Sequence, residues 1–297
     1  AGSFYPAEPA ACRREAAKLI AAAKLPADLP KRICGGIVPH AGWAYSGRLS
    51  ALTLKALAAG GEYDTLVIFG ADHWGAAKVG EVFDSGLWQT PLGNVAVDER
   101  VAKAIVGAAD CLRANPGCHA REHAIEVQVP LVKLILPKAK IVPITVPASE
   151  VAVQIGRAVG KVLAAKFPSA AVVGSTDLSH HGGHFPAPGG RGEAGMLWAE
   201  KNDRRMLDLI EALAAEKVIG EYKKRANACG PGAVAATLAA CRILGAKRGR
   251  CLAYTNSYRV LRRMAPSITD DTTVGYASVI FPAGRGSASP SDKRTDP

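Results

Sequence analysis

Histidines follow three apolar segments of the chain, each beside glycine. His40 lies in PHAGWAYSG after the apolar segment 33–38, and His73 lies in GADHWG after the segment 64–70. The polar stretch 176–184, TDLSHHGGH, follows a third such segment. In open α/β sheets, ligands bind beyond the carboxyl ends of strands. The recurrence favours a shared metal or substrate site, whereas a histidine that merely caps a strand is the simpler explanation for any one of them.

A cysteine in NACGPG is the fourth candidate for chemistry. Cys229 precedes a predicted alanine-rich helix, 233–244, and has Gly230 and Gly232 beside it. The positive end of a helix dipole lowers the pKa of a thiol, so we expect Cys229 to tend towards thiolate, the form that binds metals. The alternative is a buried cysteine at a tight turn.

Two further pairs could handle protons or orient a ligand. Asp177 and His180 have the spacing of an acid–base pair, in which the carboxylate holds the imidazole in one tautomer; the alternative is a polar loop with surface histidines. Residues 121–126 are predicted to be the first turns of a helix, in which Pro130 would be an awkward interior residue. His123 and Glu126 are three residues apart and therefore fall on one face of it. We interpret the second pair as a contact to substrate or to a metal ligand, or else as an exposed helix pair.

The elements that must position these side chains alternate between helix and strand. This alternation predicts an α/β fold. A crossover helix between the first two strands puts successive parallel strands close together, so His40 and His73 are expected to converge. The predicted strands are 33–38, 64–70, 140–146, 170–175, 250–258 and 273–281, with hairpin structure over 79–97; the predicted helices are 10–24, 48–59, 98–108, 150–166, 193–213, 214–225 and 233–244.

The domain organisation is simple. No linker divides residues 1–283, which are predicted to form a single α/β domain with residues 1–9 laid on its surface as an arm. Residues 284–297, GRGSASPSDKRTDP, form a polar tail that we predict to be disordered.

Composition narrows the function classes. The chain has 297 residues, 48% of them hydrophobic, and a formal net charge of +11. Basic clusters at 223–225, 247–250 and 259–263 are interpreted as mostly solvated surfaces, because no nucleic-acid-binding module accompanies them. No segment is apolar enough to span a membrane and no signal peptide is seen.

Seven cysteines without a C-x-x-C pair favour a reducing compartment, so we expect a cytoplasmic protein with mostly buried thiols.

Six motifs in register carry a resemblance to a known family. AGSFYP, PHAGWAYSG, GADHWG, EHAIEVQVP, STDLSHHG and NACGPG occur in the order seen in the Memo family. That family is similar in fold to the class III extradiol (LigB-type) dioxygenases, so the resemblance implies an α/β fold with a three-layer α/β/α architecture and a central mixed, mostly parallel sheet. The resemblance extends from residue 2 to about residue 280.

The resemblance implies roles for particular residues. His40, His73 and Cys229 match the metal-binding residues of the family, and Asp177 and His180 match its pocket pair, where the dioxygenases keep a catalytic histidine. Around them, the residues expected to contact substrate or support the ligands are His123, Glu126, Trp43, Tyr45, Asp72 and His181. The chain departs from the pattern at Trp74 and Gln128, where family members can have histidine.

The implied function is a metal-dependent redox or dioxygenase-like enzyme that acts on a small molecule. Iron(II) is the first choice of metal by analogy with the dioxygenases, and a thiolate ligand also suits copper or zinc. Because thiolate is oxidisable, catechol cleavage is in doubt. The alternative is a non-catalytic peptide- or metal-binding protein on the same scaffold. The resemblance further implies radical-SAM and AMMECR1-type proteins as possible partners. From the composition, we expect no specific nucleic acid or membrane partner.

Overall fold

The computed structural model describes residues 1–267 and 269–284, and its framework is one large sheet between two layers of helices. The strands are β1 (Ile33–Val38), β2 (Thr65–Gly70), β3 (Gly80–Val82), β4 (Leu87–Trp88), β5 (Val95–Ala96), β6 (Leu112–Ala114), β7 (Lys140–Thr145), β8 (Ala170–Ser175), β9 (His180–His181), β10 (Arg250–Asn256) and β11 (Thr273–Pro282). The helices are α1 (Pro9–Ala22), α2 (Trp43–Ala59), α3 (Glu99–Val106), α4 (Val129–Ile135), α5 (Val151–Lys166), α6 (Gly192–Glu211), α7 (Ala215–Arg225), α8 (Pro231–Ile243) and α9 (Ser257–Met264).

The sheet has the strand order β10-β11-β1-β8-β2-β7-β3-β6, with β9 paired to β11. Its centre, β1-β8-β2-β7, is parallel. On one side, β11 is antiparallel to both β1 and β10; on the other, β3 is antiparallel to β7 and parallel to β6. The mixed, mostly parallel sheet is therefore confirmed. The expectation that β1 and β2 lie close together needs one correction, because β8 separates them. Strand order depends on long-range pairing, which periodicity does not reveal.

Side chains of the central strands alternate between two apolar cores, which explains why these strands are apolar throughout. On β2, Val67 and Phe69 enter one core, and Leu66 and Ile68 enter the other. Helices α3 and α5–α8 cover the first core, and α1, α2 and α4 cover the second. The three-layer α/β/α architecture is confirmed.

Several element boundaries differ from the prediction near the strand ends. Helix α2 begins at Trp43, five residues earlier than predicted, because the Ala41-Gly42 turn already reverses the chain. The stretch 121–125 is turn structure followed by a short 3₁₀ helix, Glu126–Gln128, so Pro130 lies in the first turn of α4, where it removes no hydrogen bond. β10 ends at Asn256, two residues earlier than predicted, because the side chain of Asn256 caps α9.

The predicted 79–97 hairpin region is divided. β3 joins the large sheet, and β4 and β5 form a separate two-stranded sheet. The N-terminal arm does lie on the body, since Tyr5 is buried and stacks on Trp43. Residues 285–297 of the predicted tail lie outside the described residues. Within the described residues, no helix is long and apolar enough to cross a membrane.

The exposure of one basic cluster and of the cysteines can be compared with the predictions. Lys223, Lys224 and Arg225 are exposed, as expected for a solvated basic cluster. All seven cysteines are free, but only Cys12, Cys34 and Cys241 are buried; the other four are partly exposed, so the expectation of mostly buried thiols is wrong.

Candidate metal centre

The carboxyl ends of three neighbouring strands form the site. His40 follows β1, Asp177 follows β8 and His73 follows β2, and these strands are adjacent in that order. The chain therefore brings residues far apart in sequence to one edge of the sheet, as the strand-end argument predicts.

His40 is buried and has a defined tautomer. Its Nδ1 lies 3.0 Å from the Oγ of Ser175, and that hydroxyl donates to the main-chain oxygen of Ala124 at 2.6 Å. Ser175 must therefore accept from Nδ1–H, which leaves Nε2 unprotonated, with a lone pair that can accept from the Cys229 thiol or bind a metal ion. Burial, reinforced by the nearby ring of His73, lowers the pKa of His40, so the ring is neutral. A neutral imidazole with a free Nε2 is suited to metal binding.

His73 is held by Glu122. One carboxylate oxygen accepts from the His73 ring at Nδ1, 2.8 Å away, and the other accepts from its main-chain N–H at 2.9 Å. Burial raises the pKa of Glu122, but hydrogen bonds from His73 and from the main chain of Ala124 outweigh it and lower the pKa to about 2. A carboxylate on Nδ1 leaves Nε2 as the free nitrogen, an arrangement typical of metal-bound histidines.

Cys229 lies in the turn before α8 because two glycines let the helix start approach the strand ends. A Cβ at Gly230 would lie 2.6 Å from the oxygen of Ser175, and one at Gly232 would lie 2.3 Å from the oxygen of Pro147. Only glycine fits such close backbone contacts. The thiol lies 3.0 Å from Nε2 of His40 and accepts from the main-chain N–H of Asp177 at 3.2 Å.

The expectation that Cys229 tends towards thiolate is wrong for the metal-free chain. Burial raises its pKa, and the neighbouring Asp177 carboxylate raises it further. These effects exceed that of the helix N-terminus, which the sequence argument used. Metal binding would displace the thiol proton, because a bound cation inverts the local electrostatics.

The donor set fits a single transition metal. One donor atom from each of His40, His73 and Cys229 lies within 4.8 Å of the other two. A tetrahedral ion with bonds of about 2.0–2.3 Å needs donors roughly 3.5 Å apart, which small side-chain adjustments can reach. Two imidazole nitrogens and one sulfur suit iron, copper or zinc better than calcium or magnesium.

A pocket of about 330 Å³ opens beside this donor set. Four residues singled out in the sequence line it together with Tyr276: Tyr45, His123, Asp177 and His180. The His123 ring stacks on His73 with centroids 4.6 Å apart and contacts the edge of His40 at 5.3 Å. The pocket therefore connects the candidate ligands with the candidate proton-handling groups.

Asp177 and His180 lie close together but do not form the expected hydrogen-bonded pair within the described residues. Their donor atoms and that of Cys229 lie within 4.8 Å of one another. The Asp177 carboxylate instead accepts from the main-chain N–H groups of His40 at 2.7 Å and Ala41 at 3.3 Å. It therefore fixes the His40 turn rather than the His180 tautomer.

Burial shifts both groups towards their neutral forms. It raises the pKa of Asp177 to about 7, although the two hydrogen bonds from the main chain act to lower that pKa. It lowers the pKa of His180 to about 4, with the His73 ring adding to the effect. His180 is thus a neutral imidazole at neutral pH, and its Nε2 has no hydrogen-bond partner among the described residues.

Four other predicted site residues do not contact the donor set. Trp43 is buried and donates from Nε1 to the oxygen of Val127. Asp72 accepts from the main chain of 76–77 and holds that loop. His181 points away, with Nε2 2.9 Å from the oxygen of Pro188. Glu126 accepts from the Tyr5 hydroxyl and fastens the N-terminal arm.

Two supporting residues were missed by sequence reasoning, Glu122 and Ser175. Glu122 directly precedes His123 in REHAIE, and Ser175 is the last residue of β8. Both residues lie within or next to motifs that the sequence singles out, so their carboxylate and hydroxyl groups could have been noted as candidates. Which histidine each one contacts could not be predicted, because the tertiary fold determines it.

Comparisons with known proteins identify the family of the chain. A family profile described as "Memo-like protein" matches residues 1–280. A MEMO1 family protein of Methanothermobacter thermautotrophicus is 35% identical over 287 residues, covering 93% of this chain and 96% of its own. One from Pyrococcus abyssi is 34% identical over 263 residues (84% and 87%), and one from Methanopyrus kandleri is 32% identical over 295 residues (96% and 98%). With a strand-end donor set and matches along nearly its whole length, the chain belongs to the Memo family.

Proposed function

We propose that this protein binds one transition metal ion through His40, His73 and Cys229 and uses it in redox chemistry on a small molecule. The observation that carries the proposal is the convergence of three donor atoms within 4.8 Å, each from a different strand end or helix start. Glu122 and Ser175 orient the two rings so that each presents an unprotonated Nε2 to the metal position. Such supporting contacts are typical of metal-bound histidines.

Iron(II) is the proposed metal, with copper or zinc as alternatives. Two imidazoles and one thiolate leave positions open for a substrate or for O₂, and when bound the metal would supply redox or Lewis-acid chemistry there. The burial of His40 and the 27% side-chain exposure of His73 place the donor set at the floor of an accessible crevice.

The chain's own residues supply the proton handling. His180 is neutral at neutral pH and lines the pocket, so it can accept a proton from a bound hydroxyl group. Tyr45 and Tyr276 line the same pocket and offer phenol groups for orienting a ligand. These features support a small molecule with an ionisable hydroxyl as the substrate.

A second candidate function is metal carriage or peptide binding without turnover. The observation that favours it is Cys229, because a thiolate ligand is open to oxidation during reaction with O₂. Radical-SAM and AMMECR1-type partner proteins, and a cytoplasmic location, stay predictions.

The test is anaerobic purification followed by metal quantification, with His73→Ala compared with His184→Ala. His184 is an exposed histidine outside the donor set and serves as the matched control. We expect near-stoichiometric metal in the parent chain and in His184→Ala, and little in His73→Ala. Equal metal in both variants removes His73 from the site.

Oxygen-uptake screening of the metal-loaded chain on aromatic diols and related compounds then separates the two functions, because a carrier shows no turnover.

A further inference from the structure

A second cavity lies behind His180, on the side of helices α6 and α7. Its volume is about 280 Å³, and its lining is mainly apolar, including Leu178, Phe185, Trp198 and Ala228. His180 lines both this cavity and the pocket described above, and Cys229 also lines the second cavity. The cavity therefore reaches the candidate metal centre, and nothing in the proposed function uses its apolar lining.

The outer end of the cavity carries a cation. Arg225 is exposed and lines the cavity beside half-buried Tyr222, and no carboxylate is among the described lining residues. Lys223, two residues earlier, is paired with Glu150 at 2.7 Å, whereas Arg225 has no ion pair within the described part of the chain. A guanidinium and a phenol at one end of an apolar cavity complement a carboxylate.

The C-cap of α7 fixes the main chain beside Arg225. Ala226, the C-cap residue, has φ 48°, and its N–H donates to the oxygen of Tyr222 at 2.8 Å, which is a common way for a helix to end. The oxygen of Arg225 accepts a hydrogen bond from Nδ2 of Asn202 at 3.0 Å, and that side chain also donates to the Ser179 hydroxyl. These contacts hold the end of α7 beside the cavity.

The inner end of the cavity is polar. His180 Nε2 is buried and has no hydrogen-bond partner among the described residues, and Cys229 lies next to it. A molecule lying in the cavity would thus have a cation at one end, aromatic walls along its body and the candidate reaction centre at the other.

We infer that this cavity binds a small carboxylate with an apolar, phenyl-sized body. The carboxylate pairs with Arg225, the body packs against Trp198 and Phe185, and the far end points to His180 and Cys229. The inference rests on the proposed function in so far as it names a substrate class for that site. The net charge of +11 favours encounter with such an anion.

The test is titration of the metal-loaded chain with phenylacetate and with its uncharged analogue phenylacetamide, followed by calorimetry and by tryptophan fluorescence. We expect saturable phenylacetate binding and affinity for phenylacetamide about tenfold lower, the usual effect of losing a charged hydrogen-bonded partner. Arg225→Gln should weaken phenylacetate binding by about the same factor and leave phenylacetamide unchanged. Lys224→Gln, the matched control at the neighbouring exposed basic residue, should change neither.

A second variant tests the apolar wall. Trp198→Ala should weaken both compounds, because it removes an aromatic surface that they share. Equal weakening by Arg225→Gln and Lys224→Gln would mean general surface attraction and would overturn the inference, as would absence of saturable phenylacetate binding. Metal content is measured on the same samples. A chain with full metal that fails to bind phenylacetate refutes the cavity alone. A chain that takes up no metal when metal is supplied, yet binds phenylacetate through Arg225, refutes the proposed metal function alone.

Discussion

Glu122 contacts His73 twice, accepting from its ring at Nδ1 and from its main-chain N–H. The two contacts fix both the orientation and the tautomer of the ring. The carboxylate is buried, with only 2% of its side chain exposed, so solvent does not weaken the interaction. Glu122 therefore prepares His73 as a ligand before any metal binds.

Glu122→Gln is expected to lower metal affinity by about 10–100-fold, the usual effect of altering a carboxylate that supports a ligand histidine. The amide cannot accept both hydrogen bonds and carries no charge. Competition titration against a chelator of known affinity measures the change. Glu126→Gln is the matched control, because Glu126 fastens Tyr5 and does not contact the donor set. Equal losses in the two variants would contradict the account.

Ser175→Ala should also weaken metal binding, by about tenfold, because His40 loses the acceptor that keeps its proton on Nδ1. Ser50→Ala is the control: Ser50 is buried and donates to the oxygen of Pro39, next to His40, without touching the ring. The same chelator competition measures both variants. Unchanged affinity in Ser175→Ala would show that the tautomer is set elsewhere.

Asp203 should make the protein less stable as pH rises. It is buried on α6, where its carboxylate accepts hydrogen bonds from the main chain of Ser179 and from the Tyr254 hydroxyl. Burial raises its pKa to about 7, although those hydrogen bonds act to lower it. The folded pKa thus exceeds the unfolded value of about 3.9, so the folded state keeps a proton that the unfolded state releases. The resulting contribution to stability is fully present below about pH 4 and is lost as pH rises to about 7.

The measurement is urea denaturation of the parent chain and Asp203→Asn at about pH 5 and about pH 8. The free energy of unfolding of the parent should fall relative to that of the variant between these pH values, by about 1.4 kcal/mol for each unit of pKa shift that titrates. Asp208→Asn, at an exposed position on the same helix, is the control. A difference between parent and Asp203→Asn that does not change with pH would refute the prediction.

Gly156 allows α5 and α8 to pack closely. A Cβ there would lie 2.1 Å from the main-chain oxygen of Ala236, so Gly156→Ala should destabilise the fold by about 1–3 kcal/mol through overpacking. Gly220→Ala is the matched control, because nothing lies within 4 Å of its Cβ position on α7. That variant should stabilise by about 0.5–1 kcal/mol through helix propensity. Chemical denaturation distinguishes them, and destabilisation of equal size in both would contradict the packing argument.

Much of the fold could be predicted because its central strands are buried on both faces. Apolar segments such as 170–175 coincide with β8, and the segment 33–38 coincides with β1. The insertion of β8 between β1 and β2 could not be predicted, since local periodicity carries no information about which strands pair. Helix α9 was missed because its residues, SYRVLRRM, follow an alternating strand without a break.

At the site, the residue types could be predicted but not their local electrostatics. Position at strand ends was sufficient to suggest that His40 and His73 converge. The pKa of Cys229 depends on burial and on Asp177, which are properties of the folded chain, so the helix-dipole argument gave the wrong direction. Asp177 was paired with His180 on spacing, whereas the fold directs its carboxylate to the main chain of 40–41.

The central claim is that one metal ion is bound by sulfur from Cys229 and nitrogen from His40 and His73. X-ray absorption spectroscopy at the metal edge, on the anaerobically loaded chain and on Cys229→Ser, tests it most directly. We predict a coordination shell with one sulfur scatterer and imidazole nitrogens in the parent chain, and loss of the sulfur scatterer in the variant. A shell of nitrogen and oxygen alone in the parent chain, or a sulfur scatterer that survives in Cys229→Ser, would contradict it.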